Sequence, residues 1–416
     1  MYLTVLASIV FTVLLASGFG SASASKSSES PSSNTLFFIT NDPQGNNVVA
    51  VSVDAEGNLN YTGSTTVGGL GVHGLIDPAG PILPDQADAT FSQGIVQVHQ
   101  EKGLLATVNT VNHTVVLFKI DPEEPGNLTM LGNPVLSGGT FPNSVVFNRA
   151  GDRLYVLNSG ELNGVTSFNV TKHGLIAQPD SFRELGLNQT TPATGPFGVT
   201  SQIAFTEDER NIVVTVKRFF EDTRPGFLAA WPVDEEGCLA QNYTQIPTPS
   251  GGGSPFSLMT IQGANAFFAT DFDIGVDIFD FSDGLQGVNK SSRTVAIPIE
   301  GQVASCWSAY SPAVDRYYSV DVVQNEITEF VVDANLTTSI VSSFNASLGP
   351  LDTVVVETGN RSYLYTLLAG SLQIGAWRLD DDGGLIEQTF LDLSVVEQDG
   401  ISITPNLTQG LALYQS

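Results

Sequence analysis

Apolar residues along this chain fall in short runs that alternate with a period of two, as half-buried strands do. Nowhere do they keep the 3.6-residue period of a helix over a useful length. The runs repeat as a phrase. From Phe141 to Asn158 an apolar strand ends in a polar Gly/Asp turn and a second apolar strand follows; residues 164–170 then alternate, and a more polar strand leads to Gly186. The second strand of this phrase recurs near Leu36, Leu104, Leu154, Ile212, Phe267, Tyr317 and Leu364. The third recurs at 48–53, 114–120, 164–170, 226–233, 275–281, 326–332 and 372–379. Units of four strands at this period are propeller blades.

Counting predicts how the ring closes. First strands precede six units, near Gly94, Ser144, Gln202, Ser257, Ala304 and Thr353, while the unit at Leu36 has none. A seventh first strand, at 400–404, stands near the C-terminus with no unit behind it. The tail is therefore expected to supply the innermost strand of the first blade. That gives an all-β, seven-bladed β-propeller over residues 36–416 with its sheet edges hidden. Residues 68–90, with Pro78, Pro81, Pro84 and His73, form a loop long enough to be functional or disordered.

The ends and the composition point to export. Residues 3–15 are apolar, uncharged and too short to span a bilayer. Ala22-Ser23-Ala24 follows with small-x-small form, so 1–24 reads as a signal peptide and the Ser-rich stretch 25–35 as disordered. Eleven glycosylation sequons begin at Asn60, Asn112, Asn127, Asn169, Asn188, Asn242, Asn289, Asn335, Asn345, Asn360 and Asn406. A secreted or cell-surface glycoprotein is expected. Forty-three acidic against 16 basic residues give a net charge of −27 with no basic cluster, which excludes nucleic-acid binding. No later stretch is apolar and long enough to span a membrane. Cys306 falls on an inner strand and Cys238 in an outer turn, so no disulfide is expected. A monomer without cofactor or bound metal completes the reading.

In such a blade the start of the first strand and the end of the second emerge on one face, around the channel. Second strands end on Asn41, Asn109, Asn158, Lys217 with Arg218, Asp271 and Asp321. First strands start at Gln93, Asn143, Gln202, Phe256, Gln302 with Trp307 nearby, Asp352 and Asp399. Asn and Asp also begin tight turns, so each alone has a structural explanation; their recurrence on one mouth makes a candidate ligand site. The sharpest form pairs Lys217 and Arg218 as anion ligands with Asp271 or Asp321 as general base. His73 is the histidine with a route to that mouth; His99, His113 and His173 read as structural or solvated. Asp271, Asp273 and Asp277 lack the Gly and Glu of an EF-hand loop.

Several motifs in this order resemble the lactonase family of seven-bladed propellers, which includes 6-phosphogluconolactonase and 3-carboxymuconate cyclase. They are Gly68-Gly69-Leu70-Gly71, Ser92-Gln93-Gly94, Ser137 to Pro142, Leu154 to Asn158, Pro196-Phe197, Ser254 to Phe256 and Gln302 to Trp307. The resemblance implies lactone chemistry by a histidine at an inner-strand start and an acid at the next blade's second-strand end. Here those positions carry Asn143 and Lys217, and Gln202 fills the other histidine slot. An amide exchanges no proton near neutral pH, so the pair is not preserved. Two readings stay open: a glycoprotein that binds a small anionic ligand or surface partner at the channel mouth, and an active lactonase or cyclase.

Overall fold

The structure, a computed structural model, describes residues 34–219 and 224–415. The signal peptide and most of the Ser-rich stretch lie outside the described residues, but Asn34 and Thr35 already belong to a strand. Seven antiparallel sheets, each built on four strands in radial order, make the seven blades. Their innermost strands are Gln409–Tyr414 (blade 1), Gln97–His99 (blade 2), Pro142–Phe147 (blade 3), Thr200–Phe205 (blade 4), Pro255–Ile261 (blade 5), Ser305–Ser311 (blade 6) and Pro350–Thr358 (blade 7).

Burial explains the apolar pattern. Second strands such as Leu104–Asn109 and Asn211–Val216 are buried at every position, because blades cover both faces. The outer strand Thr338–Asn345 is half-exposed or exposed throughout and is correspondingly rich in Ser and Thr. The core lies between blades. Phe37, Ile39 and Val48 of blade 1 pack with Leu105, Val116 and Phe118 of blade 2, while Leu36 and Phe38 pack with Leu364, Tyr365 and Trp377 of blade 7. Each fully buried side chain of this size contributes about 1.5–3 kcal/mol.

The tail closes the ring, with a different strand from the one expected. Gln409–Tyr414 pairs antiparallel with Asn34–Ile39, setting Tyr414 opposite Thr35 and Ala412 opposite Phe37. Residues 400–404 are not a strand; they follow the 3-10 helix Leu393–Asp399, and Ile403 is buried against the blade 7 side of the core. The alternation at 400–404 reflects that packing rather than pairing.

Two further differences shape the centre. Blade 2 has only a three-residue inner strand, and Gly94 precedes it rather than beginning it. In blades 3 to 7 the inner strand breaks register near its start, between Pro142 and Ser144, Thr200 and Ile203, Pro255 and Leu258, Ser305 and Trp307, and Pro350 and Thr353. A bulge of this kind re-aims side chains. It falls at Asn143, Gln202, Phe256, Cys306 and Asp352.

Candidate functional site

The channel is filled by the chain itself. Residues 88–94, the end of the long loop, turn into it with positive φ at Asp88, Phe91 and Gly94 (73°, 55° and 84°). Blade 3 holds them through Asn143, whose Nδ2 donates to Thr90 O at 3.3 Å and whose carbonyl accepts Ser92 Oγ at 2.7 Å. Blade 6 holds them through Trp307, whose Nε1 donates to Ser92 O at 3.2 Å, and blade 1 through Gln409, whose Nε2 donates to the same oxygen at 3.1 Å. The loop is thus ordered, and it is the plug.

Lys217 is sealed beneath this plug. It is fully buried; its Nζ donates to Phe91 O at 2.8 Å and lies 4.5 Å from the centre of the Phe256 ring. Burial pulls the ammonium below the usual lysine range, opposed by the Asp88 charge. Asp88 is buried too, and desolvation raises its carboxyl, opposed by Lys217. Asp352, buried on the same side, is pushed up to about 8 by desolvation and by Asp88. Its Oδ2 accepts Gly410 N at 3.0 Å and Gln409 Nε2 at 3.3 Å, which fastens the closing strand to blade 7.

The remaining polar ring consists of clasps. Asp321 Oδ2 accepts the amides of Val303 and Ala304 at 2.7 and 3.0 Å, and its Oδ1 those of Val323 and Gln324 at 2.9 Å. Asp271 does the same for Gly253 and Ser254. Asn158 accepts from Ser137 Oγ and donates to Ser137 O, and Asn109 donates to Val67 O. These four second-strand ends therefore tie down the segments entering their own blades. Asn41 donates to Val72 O in the long loop. Gln202 pairs with the Leu258 backbone, and Gln302 donates to Phe272 O at 2.9 Å. Such buried acceptors cost about 1–3 kcal/mol if unsatisfied, so these side chains are committed to the fold.

His73 does not reach the mouth as a free base. Its Nδ1 and Nε2 lie 2.6 and 2.7 Å from Gly74 O and Gln86 O, pinning the loop to itself. Asp399 is exposed and accepts from Tyr61 Oη at 2.5 Å, away from the role expected of it. Two sequon asparagines, Asn169 and Asn406, are half-buried; the other nine are exposed. Cys238 is exposed and Cys306 buried, both with free thiols. Among the described residues no three His, Cys, Asp or Glu side chains are arranged to hold a metal ion, and no helix is long and apolar enough to cross a membrane.

What stays at the mouth surface is Arg218 with Asp273. The guanidinium Nε lies 3.1 Å from Asp273 Oδ1 and 4.8 Å over the Phe197 ring, with 39% of its side chain exposed. Burial raises the Asp273 carboxyl despite the arginine. Behind it Asp277, fully buried, has no N–H or O–H donor on either oxygen and faces the Asp271 carboxyl. Burial, with the Asp271 charge beside it, raises the Asp277 carboxyl well above the usual range.

Solved structures share this architecture. A putative 6-phosphogluconolactonase from Bacteroides fragilis superposes with TM-score 0.63 at 16% identity, over 93% of this chain and 99% of the other. The periplasmic gluconolactonase of Pseudomonas aeruginosa gives 0.62 at 13%, over 92% and 99%. The chain has the lactonase-like propeller fold. A protein from Lactobacillus plantarum shares that lactonase-like propeller with TM-score 0.65 at 13% identity, over 92% of this chain and all of the other. No protein-family model matches the sequence, and the search of curated proteins finds no relative. At these identities the likeness carries the fold, and activity must be argued from the site.

Sequence reasoning missed Asp88, Phe91 and Gln409. Asp88 lay in a loop already marked as unusual, but its positive φ left no signal, and Gln409 was hidden by the misplaced closing strand.

Proposed function

We propose that the chain is an exported, N-glycosylated lactonase-like propeller that binds a small carboxylated ligand or a surface partner on the mouth face, beside Arg218. One observation carries this reading: Lys217, the other anion ligand expected from the sequence, is buried under the plug with its ammonium on Phe91 O. An acid/base pair built on Lys217 with Asp271 or Asp321 is therefore closed to substrate. Arg218, seated on Phe197, keeps its head at the surface, where a carboxylate can share it with Asp273. The signal-like N-terminus and the exposed sequons support export and glycosylation, which mass spectrometry of the secreted protein tests.

A second reading, lactone hydrolysis, is favoured by Asp273 itself. This carboxyl is raised by burial and adjoins a guanidinium. It could take a proton from water attacking a lactone carbonyl and return it to the ring oxygen as the ester C–O bond breaks. The test is calorimetric titration with gluconate, galacturonate and muconate alongside glucono-δ-lactone hydrolysis. Carboxylate binding that falls at least tenfold in Arg218→Ala, with hydrolysis at the buffer rate, supports the binding reading. Hydrolysis above buffer that disappears in Asp273→Asn replaces it with the enzyme reading. Neither binding nor hydrolysis overturns both.

A further inference from the structure

A cleft of 530 Å³, which shares Phe197 with the seat of Arg218, opens between blades 3 and 4, within the size range of small-ligand pockets. One wall is an aromatic stack. Tyr243 lies parallel to Phe227, centroids 6.1 Å apart at 11°, and edge-on to the buried Trp231 at 5.1 Å. Phe219 stands among the other lining residues, with the Arg224 guanidinium 4.3 Å over its ring. The rim carries Thr190 and Gln245, a hydroxyl and a neutral amide, beside the sequon asparagine Asn188, and the lining charges are one of each sign, Asp77 and Arg224.

The floor is an irregular segment, residues 185–198, and it is held with unusual care. Gln189 spends its whole amide on it: Oε1 accepts Thr190 N and Thr194 N, while Nε2 donates to Thr194 O and Gly198 O. Asn163 grips it from blade 3, donating to Leu187 O at 2.8 Å and accepting Leu187 N at 2.8 Å. Side chains that fix a loop backbone in this way pre-organise a pocket and lower the ordering cost of binding.

From this geometry we infer a second ligand site that takes a neutral oligosaccharide of roughly two or three pyranose rings. A sugar ring offers an apolar C–H face to an aromatic plane and hydroxyls around its edge, matching an aromatic stack rimmed by amides and hydroxyls. A phosphorylated or strongly anionic ligand fits less well, because the lining charges cancel and the whole chain carries −27. The Tyr243 hydroxyl is spent weakly on Leu185 O at 3.4 Å, so its ring rather than its oxygen does the recognising.

The experiment titrates the full mature protein with cellotriose, xylotriose, mannotriose and chitotriose, by calorimetry and by tryptophan emission. One or more should bind, with an emission change because Trp231 touches Tyr243. Tyr243→Phe should keep the affinity within threefold, and Tyr243→Ala should lower it at least tenfold. Because Tyr243→Ala also trims a packed stack, Gln245→Trp, which obstructs the cleft from an exposed position of the outer strand Thr244–Pro247, should abolish binding with an unchanged melting temperature. Excess gluconate, the probe of the mouth, should leave saccharide binding unchanged, separating this site from the carboxylate reading. No binding of any trisaccharide overturns the inference, as does binding that survives Gln245→Trp. Adenosine occupying the cleft in place of sugars overturns the ligand class.

Discussion

Gln93 and Ser308 hold each other across the propeller axis. Gln93 Nε2 donates to Ser308 O at 3.1 Å, and Ser308 N donates back to Gln93 Oε1 at 3.0 Å. One side chain thereby mimics a strand partner and ties the plug to the inner strand of blade 6. Gln93→Ala should strand a backbone N–H and C=O in the closed centre and cost about 1–3 kcal/mol. Urea unfolding measures this, and a change within 0.5 kcal/mol of zero (about the noise of a surface mutation) would refute the plug's structural role.

Lys217 and Asp88 are buried together in the centre, and each charge opposes the burial shift of the other, so losing one partner should cost more than losing both. Lys217→Met alone leaves the Asp88 carboxyl in an apolar centre and should cost about 3–5 kcal/mol. Adding Asp88→Asn removes the stranded charge and should recover a large part of that loss. A double-mutant cycle of unfolding free energies reads the coupling. Additive effects would mean that the two groups do not sense one another.

Much of this architecture was legible. Third strands at 114–120 and 326–332 coincide with Thr114–Ile120 and Glu326–Val332, because blades bury alternate residues on both sides and leave a periodic record. The centre was not. Residues 400–404 alternate as well as 409–414 do, and the choice between them is made by the Asp352 carboxyl, which bonds Gly410 N from 58 residues away in sequence. Asn143, Asn158, Asp271 and Asp321 were read as part of a polar ring at the mouth, yet residue type does not distinguish a ring that receives a ligand from one that receives its own backbone. The bulges that turn Asn143 and Asp352 inward depend on neighbouring strands rather than on local composition.

Acid should stabilise this protein over a defined window. Asp352 in the fold titrates at about 8, against an ordinary aspartate near 3.9, so the folded state keeps a proton the unfolded chain has released. Its contribution is complete below about 4 and is lost as pH rises through about 8. Asp277, Asp271 and Asp88 are raised as well and act with the same sign. Lys217, displaced downward, has the opposite sign, with its effect concentrated above the carboxylate window. The melting temperature should rise as pH falls from 8 to 5. One such group changes stability by up to about 1.4 kcal/mol per pH unit. Asp352→Asn should flatten the slope; an unchanged slope would exclude Asp352 as its source.

The closing strand offers the most direct test of the architecture. Asn34–Ile39 is paired on its inner side only by Gln409–Tyr414, so ending the chain after Leu407 leaves a long, buried, apolar edge open. That truncation should abolish the cooperative transition and promote aggregation. Ile403→Ala in the intact chain should cost only the loss of a buried side chain, about 2–5 kcal/mol. Gly410→Ala should fall between them, since φ is 82° there and an added Cβ would lie 2.8 Å from Ile95 Cγ2. A synthetic peptide of residues 408–416 added to the truncated chain should pair with the open edge and restore the transition, as a donated strand does. A truncated chain that melts like the intact one would show that blade 1 needs no fourth strand.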